Sequence, residues 1–210
     1  MTTARYFAYG SNMSIQRLRA RAPSAQCVGR ALLPDYRLAF DKVGLDGSGK
    51  CHIVRHTGSS VYGVLFALSE DDKARLDELE MTGFGYLSET VTLRLEGEQD
   101  QQATAYIATR VRPGLKPYTW YKQHVVCGAR DARLPTAYVS QLETVQALED
   151  PDQERASREL GIYPLRKSRG EQLLIRRPLR DARSSRYSLC RKDLSAQASR
   201  HLPSASRDGC

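Results

Sequence analysis

An abrupt change of composition near residue 166 limits which part of this 210-residue chain can form a packed core. Residues 1–165 carry 20 Lys and Arg against 20 Asp and Glu, whereas residues 166–210 carry 12 against 4 and hold the whole net charge of +8. Only 7 of these last 45 residues are Leu, Ile, Val or Phe, too few to bury a stable core. The sequence therefore predicts a folded domain at residues 1–165 and a basic, disordered tail at residues 166–210.

The same charge distribution bears on the partners of the chain. A nucleic-acid-binding domain carries its basic excess on the folded part, and residues 1–165 are neutral, so we do not expect nucleic acid as the partner of the domain. The sequence contains no run of about 18 apolar residues, the length of a membrane span. It also lacks the pattern of a signal peptide and the cysteine density of a disulfide scaffold. These features predict a cytoplasmic protein without a membrane span.

Two kinds of apolar pattern predict strands. Residues 61–68 (VYGVLFAL) are apolar on both alternating faces, as in a fully buried strand. Residues 87–95 alternate between apolar and polar, which predicts a half-buried strand with residues 104–109 as its partner. The buried face of the alternating strand is expected to hold Leu87, Val91, Leu93 and Leu95.

Helical signals separate the strands. Ser69 followed three residues later by Asp72 resembles a capping box at the start of a helix, and residues 118–129 have helical spacing. Apolar residues at intervals of three or four over residues 134–148 predict one amphipathic helix that Pro151 ends. Strands with helices between them, and no regular βαβ repetition, predict an α+β domain with a mixed or largely antiparallel sheet.

The first candidate functional motif is the segment Tyr6-Phe7-Ala8-Tyr9-Gly10-Ser11-Asn12. A strand that ends in Gly-Ser-Asn before a helix, here with Ser14 as the expected cap, turns its backbone N–H groups outward. Such a group of N–H donors binds a carboxylate or stabilises an oxyanion, and Gly10 permits close approach because it has no Cβ. An ordinary turn after a hydrophobic strand accounts for the same residues.

The second candidate is a cluster of carboxylates at Asp77, Glu78 and Glu80. Glu80 falls in the last turn of the predicted helix, where the helix dipole and its acidic neighbours both disfavour the ionised form. A carboxyl group of this kind suits proton transfer near neutral pH. The alternative is a solvated acidic end of a helix.

Aromatic and histidine residues complete the candidates. Tyr86, Tyr106, Trp120 and Tyr121 can orient a polar ligand, or they can be packing residues of the core. His52 and His56 lie on a predicted strand, where residues four apart are separated by about 13 Å, so we expect no metal site there. No phosphate-binding or dinucleotide-binding glycine motif is present, so the residues give no sign of a nucleotide site.

In combination, these motifs resemble the gamma-glutamylcyclotransferase family. The resemblance rests on YFAYGSNM at residues 6–13, LDELE at 76–80 and GFGY at 83–86, and it spans roughly residues 5–150. Members of the family release 5-oxoproline from gamma-glutamyl compounds, and their fold is a small mixed β-barrel flanked by helices. The resemblance therefore implies that fold, a small gamma-glutamyl substrate and no cofactor.

The resemblance also implies roles for individual residues. Glu80 aligns with the catalytic glutamate of the family, which acts as general acid and base. The substrate-binding loop aligns with Tyr6, Phe7, Ala8, Tyr9, Gly10 and Ser11. Further substrate contacts are implied for Tyr86, Tyr106 and Tyr121.

The reaction implied by the resemblance is intramolecular: the α-amine of the substrate attacks its own γ-carbonyl while Glu80 moves the protons. Three alternatives remain open. In the first, the substrate is a gamma-glutamylamine. In the second, it is a gamma-glutamyl group linked to a carrier protein, which the basic tail would attract. In the third, the domain binds a ligand without turnover and the basic tail contacts polyanions. The sequence also leaves the oligomeric state open, a homodimer included.

Overall fold

The computed structural model describes residues 3–95 and 100–163. Five strands form a closed barrel in the order β1-β3-β2-β4-β5, with β1 (Thr3–Ala8), β2 (Gln26–Val43), β3 (Gly49–Ser69), β4 (Tyr86–Leu95) and β5 (Gln101–Ala108). Neighbouring strands are antiparallel except where Tyr6 of β1 pairs with Thr104 of β5 in parallel. This arrangement confirms the predicted small mixed barrel. The predicted disorder of residues 166–210 lies outside the described residues, and the boundary at residue 165 stays a prediction.

The hairpin of β2 and β3 supplies the two longest strands, with 18 and 21 residues. The sequence analysis identified residues 61–68 within β3 but not β2. The register of the hairpin shifts at three points along β2, including one between Ala39 and Lys42. Each shift resets the alternation of inward and outward side chains, so β2 shows no sustained period of two.

Leu87 is not part of the core, contrary to the prediction. Val91, Leu93 and Leu95 of β4 are buried, but Leu87 is 46% exposed. The reason lies in the pairing of β4, because β2 pairs with it only through residues 94 and 95. The Leu87 end of β4 is paired with β5 alone, so its outer face stays open to solvent.

Five α-helices of the described residues flank the barrel: α1 (Ile15–Arg21), α2 (Glu70–Leu79), α3 (Thr119–Asp131), α4 (Thr136–Thr144) and α5 (Gln153–Leu160). The two predicted caps are confirmed, because Ser14 accepts a hydrogen bond from the N–H of Arg17 and Ser69 accepts one from the N–H of Asp72. No helix within the described ranges is long and apolar enough to cross a membrane.

The predicted helix over residues 134–148 is too long. Helix α4 ends at Thr144, and Leu148 pairs with the start of α3 instead. The N–H of Leu148 donates to the carbonyl of Pro117 at 2.9 Å, and its own carbonyl accepts from Thr119 at 2.9 Å. Apolar spacing alone does not reveal that these backbone groups find partners elsewhere in the chain.

Candidate active site

A cavity of about 320 Å³ opens where the end of β1 meets the ends of α2 and the β2–β3 hairpin. Eight of the ten residues to which the family resemblance assigns roles line it, namely Tyr6, Tyr9, Gly10, Ser11, Glu80, Tyr86, Tyr106 and Tyr121. Phe7 and Ala8 do not, because both are fully buried in the hydrophobic core. The predicted substrate-binding loop therefore divides into two residues that build the core and four that face the cavity.

Glu80 lies directly after the last turn of α2, and its side chain is 16% exposed. Its Oε1 atom accepts hydrogen bonds from Asn12 Nδ2 and Arg21 Nη1, both at 3.3 Å. The amide of Asn12 also donates to the hydroxyl of Tyr6 at 3.0 Å. The YGSN segment and the helix that follows it thus fix the orientation of a carboxylate from a distant helix.

The crowding of acidic residues expected around Glu80 is relieved in the structure. Both carboxylate oxygens of Asp77 lie 2.7 Å from the ammonium of Lys73. Glu78 is exposed and does not line the cavity. Glu80 has Arg21 as its own cationic partner, so Asp77 and Glu80 each pair with a different cation.

The turn at Gly10 fits tightly between β3 and α3. A Cβ at Gly10 would lie 3.0 Å from Cys51 Cβ and 3.3 Å from the hydroxyl of Tyr121. On the other side of the turn, a Cβ at Gly128 of α3 would lie only 2.4 Å from the backbone nitrogen of Ser14. Within the described residues, the N–H groups of Gly10 and Ser11 have no hydrogen-bond acceptor, so they can donate to a ligand.

Two of the predicted pocket tyrosines, Tyr86 and Tyr121, form hydrogen bonds with the backbone of Cys51 in the cavity wall. Tyr86 donates to the carbonyl of Cys51 at 3.0 Å, and the N–H of Cys51 donates to the hydroxyl of Tyr121 at 3.0 Å. Burial raises the pKa of both phenols well above its usual value, so both stay neutral. Burial also raises the pKa of the Cys51 thiol to about 12, which makes it a poor nucleophile.

The other three tyrosines differ in what their hydroxyl groups do. Tyr9 donates to the carbonyl of Tyr106, and Tyr106 donates to Asp77 Oδ1 at 2.9 Å. The hydroxyl of Tyr6 accepts from Asn12, and no residue in the described ranges accepts its proton. Burial raises the pKa of Tyr6 as well. Tyr6 is therefore a neutral donor available to a ligand in the cavity.

The sequence reasoning missed a buried network behind the turn. Arg17 Nε donates to Ser11 Oγ at 3.3 Å, and its Nη1 pairs with Glu159 of α5 and lies 3.1 Å from His124 Nε2. Burial lowers the pKa of His124 to about 4, so the imidazole is neutral at pH 7. The sequence carried no local signal for this network, because Arg17, His124 and Glu159 belong to three different helices.

The cavity lining carries more positive than negative side chains. Five cations and three carboxylates line it: Arg17, Arg21, Lys42, Lys50 and Arg155, with Asp46, Glu80 and Glu159. Lys50 Nζ lies 2.6 Å from Asp46 and 4.5 Å from the centre of the Trp120 ring. This excess of positive charge favours an anionic ligand.

The two histidines considered as metal ligands have other partners. His52 pairs with Asp41, and His56 Nδ1 lies 2.8 Å from the hydroxyl of Ser59. The part of the chain that the structure describes contains no group of three or more His, Cys, Asp or Glu residues suited to a metal ion. The expectation that the reaction needs no metal stays a prediction.

Comparison with known proteins shows what this chain is similar to. Residues 60–142 match the model of the AIG2-like family. Gamma-glutamylcyclotransferase from Bos taurus is 29% identical over 147 residues, which make up 67% of this chain and 78% of that protein. The chain is thus similar to gamma-glutamylcyclotransferases over two thirds of its length, which supports enzyme activity. The cavity around Glu80 is its candidate active site.

Solved structures agree with the gamma-glutamylcyclotransferase fold. A gamma-glutamyl cyclotransferase superposes with a TM-score of 0.68 at 23% identity, covering 75% of this chain and 99% of that one. An uncharacterised protein from Homo sapiens superposes with a TM-score of 0.66 at 27% identity, covering 70% of this chain and 90% of that one. At these identities the structures support the shared barrel and its flanking helices.

Proposed function

We propose that this enzyme releases 5-oxoproline from a small gamma-glutamyl amino acid or peptide, with Glu80 as general acid and base. The observation that carries the proposal is the position of Glu80. Its carboxylate lines the same cavity as the Gly10–Ser11 turn, and Asn12 and Arg21 hold its Oε1 atom. No described residue donates to Oε2, which leaves that oxygen to exchange a proton with a substrate.

The proposed reaction begins with proton removal. Glu80 takes a proton from the α-ammonium group of the substrate, and the freed amine attacks the γ-carbonyl carbon of the same molecule. A carbon–nitrogen bond forms and closes a five-membered lactam. The nucleophile is tethered to the electrophile, so the enzyme mainly holds the reactive conformation.

The second half of the reaction expels the leaving amine. Negative charge develops on the γ-carbonyl oxygen, where the N–H groups of Gly10 and Ser11 and the hydroxyl of Tyr6 are suitable donors. The bond between the γ-carbon and the leaving nitrogen breaks as Glu80 returns its proton to that nitrogen. The ring nitrogen then loses its second proton to the Glu80 carboxylate, which passes it to the released amine, so that the lactam is neutral and Glu80 is again ionised. Excess positive charge in the lining supports binding of the substrate carboxylate. A cytoplasmic location and the absence of a cofactor stay predictions.

The experiment that tests the proposal measures 5-oxoproline release from gamma-glutamyl dipeptides by the wild type and the Glu80→Gln variant. Loss of the general base is expected to lower turnover by about 10²–10⁴-fold with the fold intact. The matched control is Glu78→Gln, which removes an exposed carboxylate of the same helix that does not line the cavity. Near-normal turnover by Glu80→Gln, or no release by folded wild type, would contradict the proposal.

A further inference from the structure

The cations that line the cavity differ in whether a carboxylate neutralises them. Four of the five form ion pairs: Arg17 with Glu159, Arg21 with Glu80, Lys50 with Asp46 and Arg155 with Asp150. The side chain of Lys42 makes no ion pair or hydrogen bond with any residue in the ranges 3–95 and 100–163, although the negative charges of Glu80 and Asp46 act on it from a distance. Its ammonium is therefore the lining cation that no carboxylate in these ranges contacts directly.

The position of Lys42 is well defined by its surroundings. The next residue, Val43, donates its N–H to the carbonyl of Arg110 at 2.9 Å, which fixes the end of β2. Lys42 Nζ lies 4.6 Å from the centre of the Tyr86 ring. An aromatic face attracts an ammonium group but does not neutralise it. Burial lowers the pKa of Lys42, which means that the ammonium is partly desolvated and gains more from an anionic partner than an exposed lysine does.

Lys42 also lies close to the segment that carries Glu80. A Cβ at Gly85 would lie 3.7 Å from Lys42 Nζ and 3.0 Å from the backbone carbonyl of Glu80. The ammonium thus faces the turn between Glu80 and Tyr86. An anionic group of a substrate positioned at Glu80 is therefore within the reach of a flexible lysine side chain.

The open side of the cavity indicates which part of the substrate meets Lys42. Leu45 lines the cavity and is 90% exposed, so the β2–β3 hairpin that carries it forms the mouth. In the proposed reaction, Glu80 contacts both the α-amine and the leaving nitrogen. The proposed reaction places the γ-carbonyl of the substrate beside the Gly10 turn, whose N–H groups are the proposed oxyanion donors. In this placement the rest of the leaving group extends toward the β2–β3 hairpin, which carries Lys42.

We infer that Lys42 binds a carboxylate carried by the leaving group, and that it is the residue that makes the enzyme prefer acidic leaving groups to uncharged ones. The inference rests on the proposed function and deepens it, because it assigns the contact that separates gamma-glutamyl amino acids from gamma-glutamylamines. A charge-assisted hydrogen bond between an ammonium and a carboxylate has the strength to produce such a preference.

The test compares two substrates that differ only in one charge, gamma-glutamyl-alanine and gamma-glutamyl-alaninamide. The wild type is expected to prefer the acid by about 10-fold in kcat/KM. Lys42→Gln is expected to lose about 10-fold on the acid and to stay within about 2-fold on the amide, whereas Lys42→Arg keeps the preference. Lys116→Gln, at an exposed lysine that does not line the cavity, is the matched control and should change neither rate.

Each other outcome overturns the inference in a recognisable way. An equal loss on both substrates would mean that Lys42 acts on the gamma-glutamyl part or on the fold, and the unfolding midpoint of the variant separates these two causes. Equal rates of the wild type on acid and amide would overturn the inference without any variant. Failure of the proposed function can be distinguished from failure of the Lys42 inference, because the folded wild type would then release 5-oxoproline from neither substrate.

Discussion

Arg21 Nη1 lies 3.3 Å from Glu80 Oε1, although the two residues are 59 positions apart in the chain. The contact joins α1, which follows the YGSN segment, to the end of α2, which carries the proposed general base. Asn12 shares the same oxygen, so the carboxylate is oriented by two donors from one side. From this arrangement we expect the proposed activity to depend on the orientation of Glu80 as well as on its presence.

Replacing Arg21 is therefore expected to lower activity while Glu80 stays in place. Arg21→Gln removes the charge-assisted hydrogen bond, and we expect kcat to fall by about 10–100-fold because such bonds contribute about 1.5–3 kcal/mol. The measurement is steady-state release of 5-oxoproline. Arg19→Gln on the same helix is the control, since Arg19 bonds to the carbonyl of Ala25 and does not line the cavity. Equal rates for the wild type and Arg21→Gln would show that Asn12 alone orients the carboxylate.

Adding one methyl group at Gly10 is expected to disturb the turn. The new Cβ of Gly10→Ala would lie 3.0 Å from Cys51 Cβ, so the turn has to move away from β3. A shift of this kind misplaces the N–H donors, and we expect about a 100-fold loss of kcat/KM. Gly29→Ala is the matched control, because a Cβ at Gly29 meets no atom within 4 Å. Unchanged activity of Gly10→Ala would exclude the turn from the reaction.

The buried ion pair of Asp150 predicts how stability depends on pH. Hydrogen bonds from Arg155 lower the pKa of Asp150 to about 2, and the indole of Trp120 donates to the same carboxylate at 2.7 Å. In the unfolded chain the pKa is about 3.9. Because the folded pKa is the lower one, the stabilisation is present above about pH 4 and is lost as the pH falls toward about 2.

Urea unfolding of the wild type and Asp150→Asn across this range measures the effect. The wild type is expected to exceed the variant by about 2 kcal/mol in free energy of unfolding at pH 6, and the difference should shrink as the pH approaches 2. Asp152→Asn is a useful comparison, because the carboxylate of Asp152 is largely exposed and lies 3.7 Å from Arg155. A difference between the wild type and Asp150→Asn that stays constant with pH would refute the assignment.

The thiol of Cys51 is expected to resist alkylation although it lines the cavity. Its pKa of about 12 leaves only about one molecule in 10⁴ as thiolate at pH 8. We expect iodoacetamide to label Cys51 at least about 1,000-fold more slowly in the folded protein than in urea. Peptide mass mapping over time separates this cysteine from the others. Rapid labelling of folded protein would show that the thiol is ionised or that the cavity opens.

Several features of the fold could be read from the sequence because their signals are local. Ser14 and Ser69 cap helices through hydrogen bonds to residues three positions ahead. Residues 61–68 form a buried strand because both faces are apolar. The long β2 strand and the end of α4 were not readable, because bulges break the alternation of β2 and residues 117–119 take the backbone bonds of Leu148.

For the candidate site, too, some features could be predicted from the sequence and others could not. The chemical types were evident in the sequence, with a glutamate at a helix end, a glycine turn after a strand and tyrosines nearby. Which polar groups would meet was not evident. Arg17, Arg21 and Lys42 are ordinary basic residues in the sequence, and only closure of the barrel brings them to one cavity.

Hydrophobic periodicity and capping act over a few residues. They were therefore sufficient to predict the buried strand at residues 61–68, the caps of α1 and α2, and the residue types that a proton-transfer site needs. The tertiary structure alone decided that Arg21 holds Glu80, that Glu159 holds Arg17, and that Lys42 lacks a carboxylate partner among the described residues. These relationships depend on the pairing of strands and packing of helices far apart in the chain. No local pattern encodes them, because they arise only when distant segments pack together.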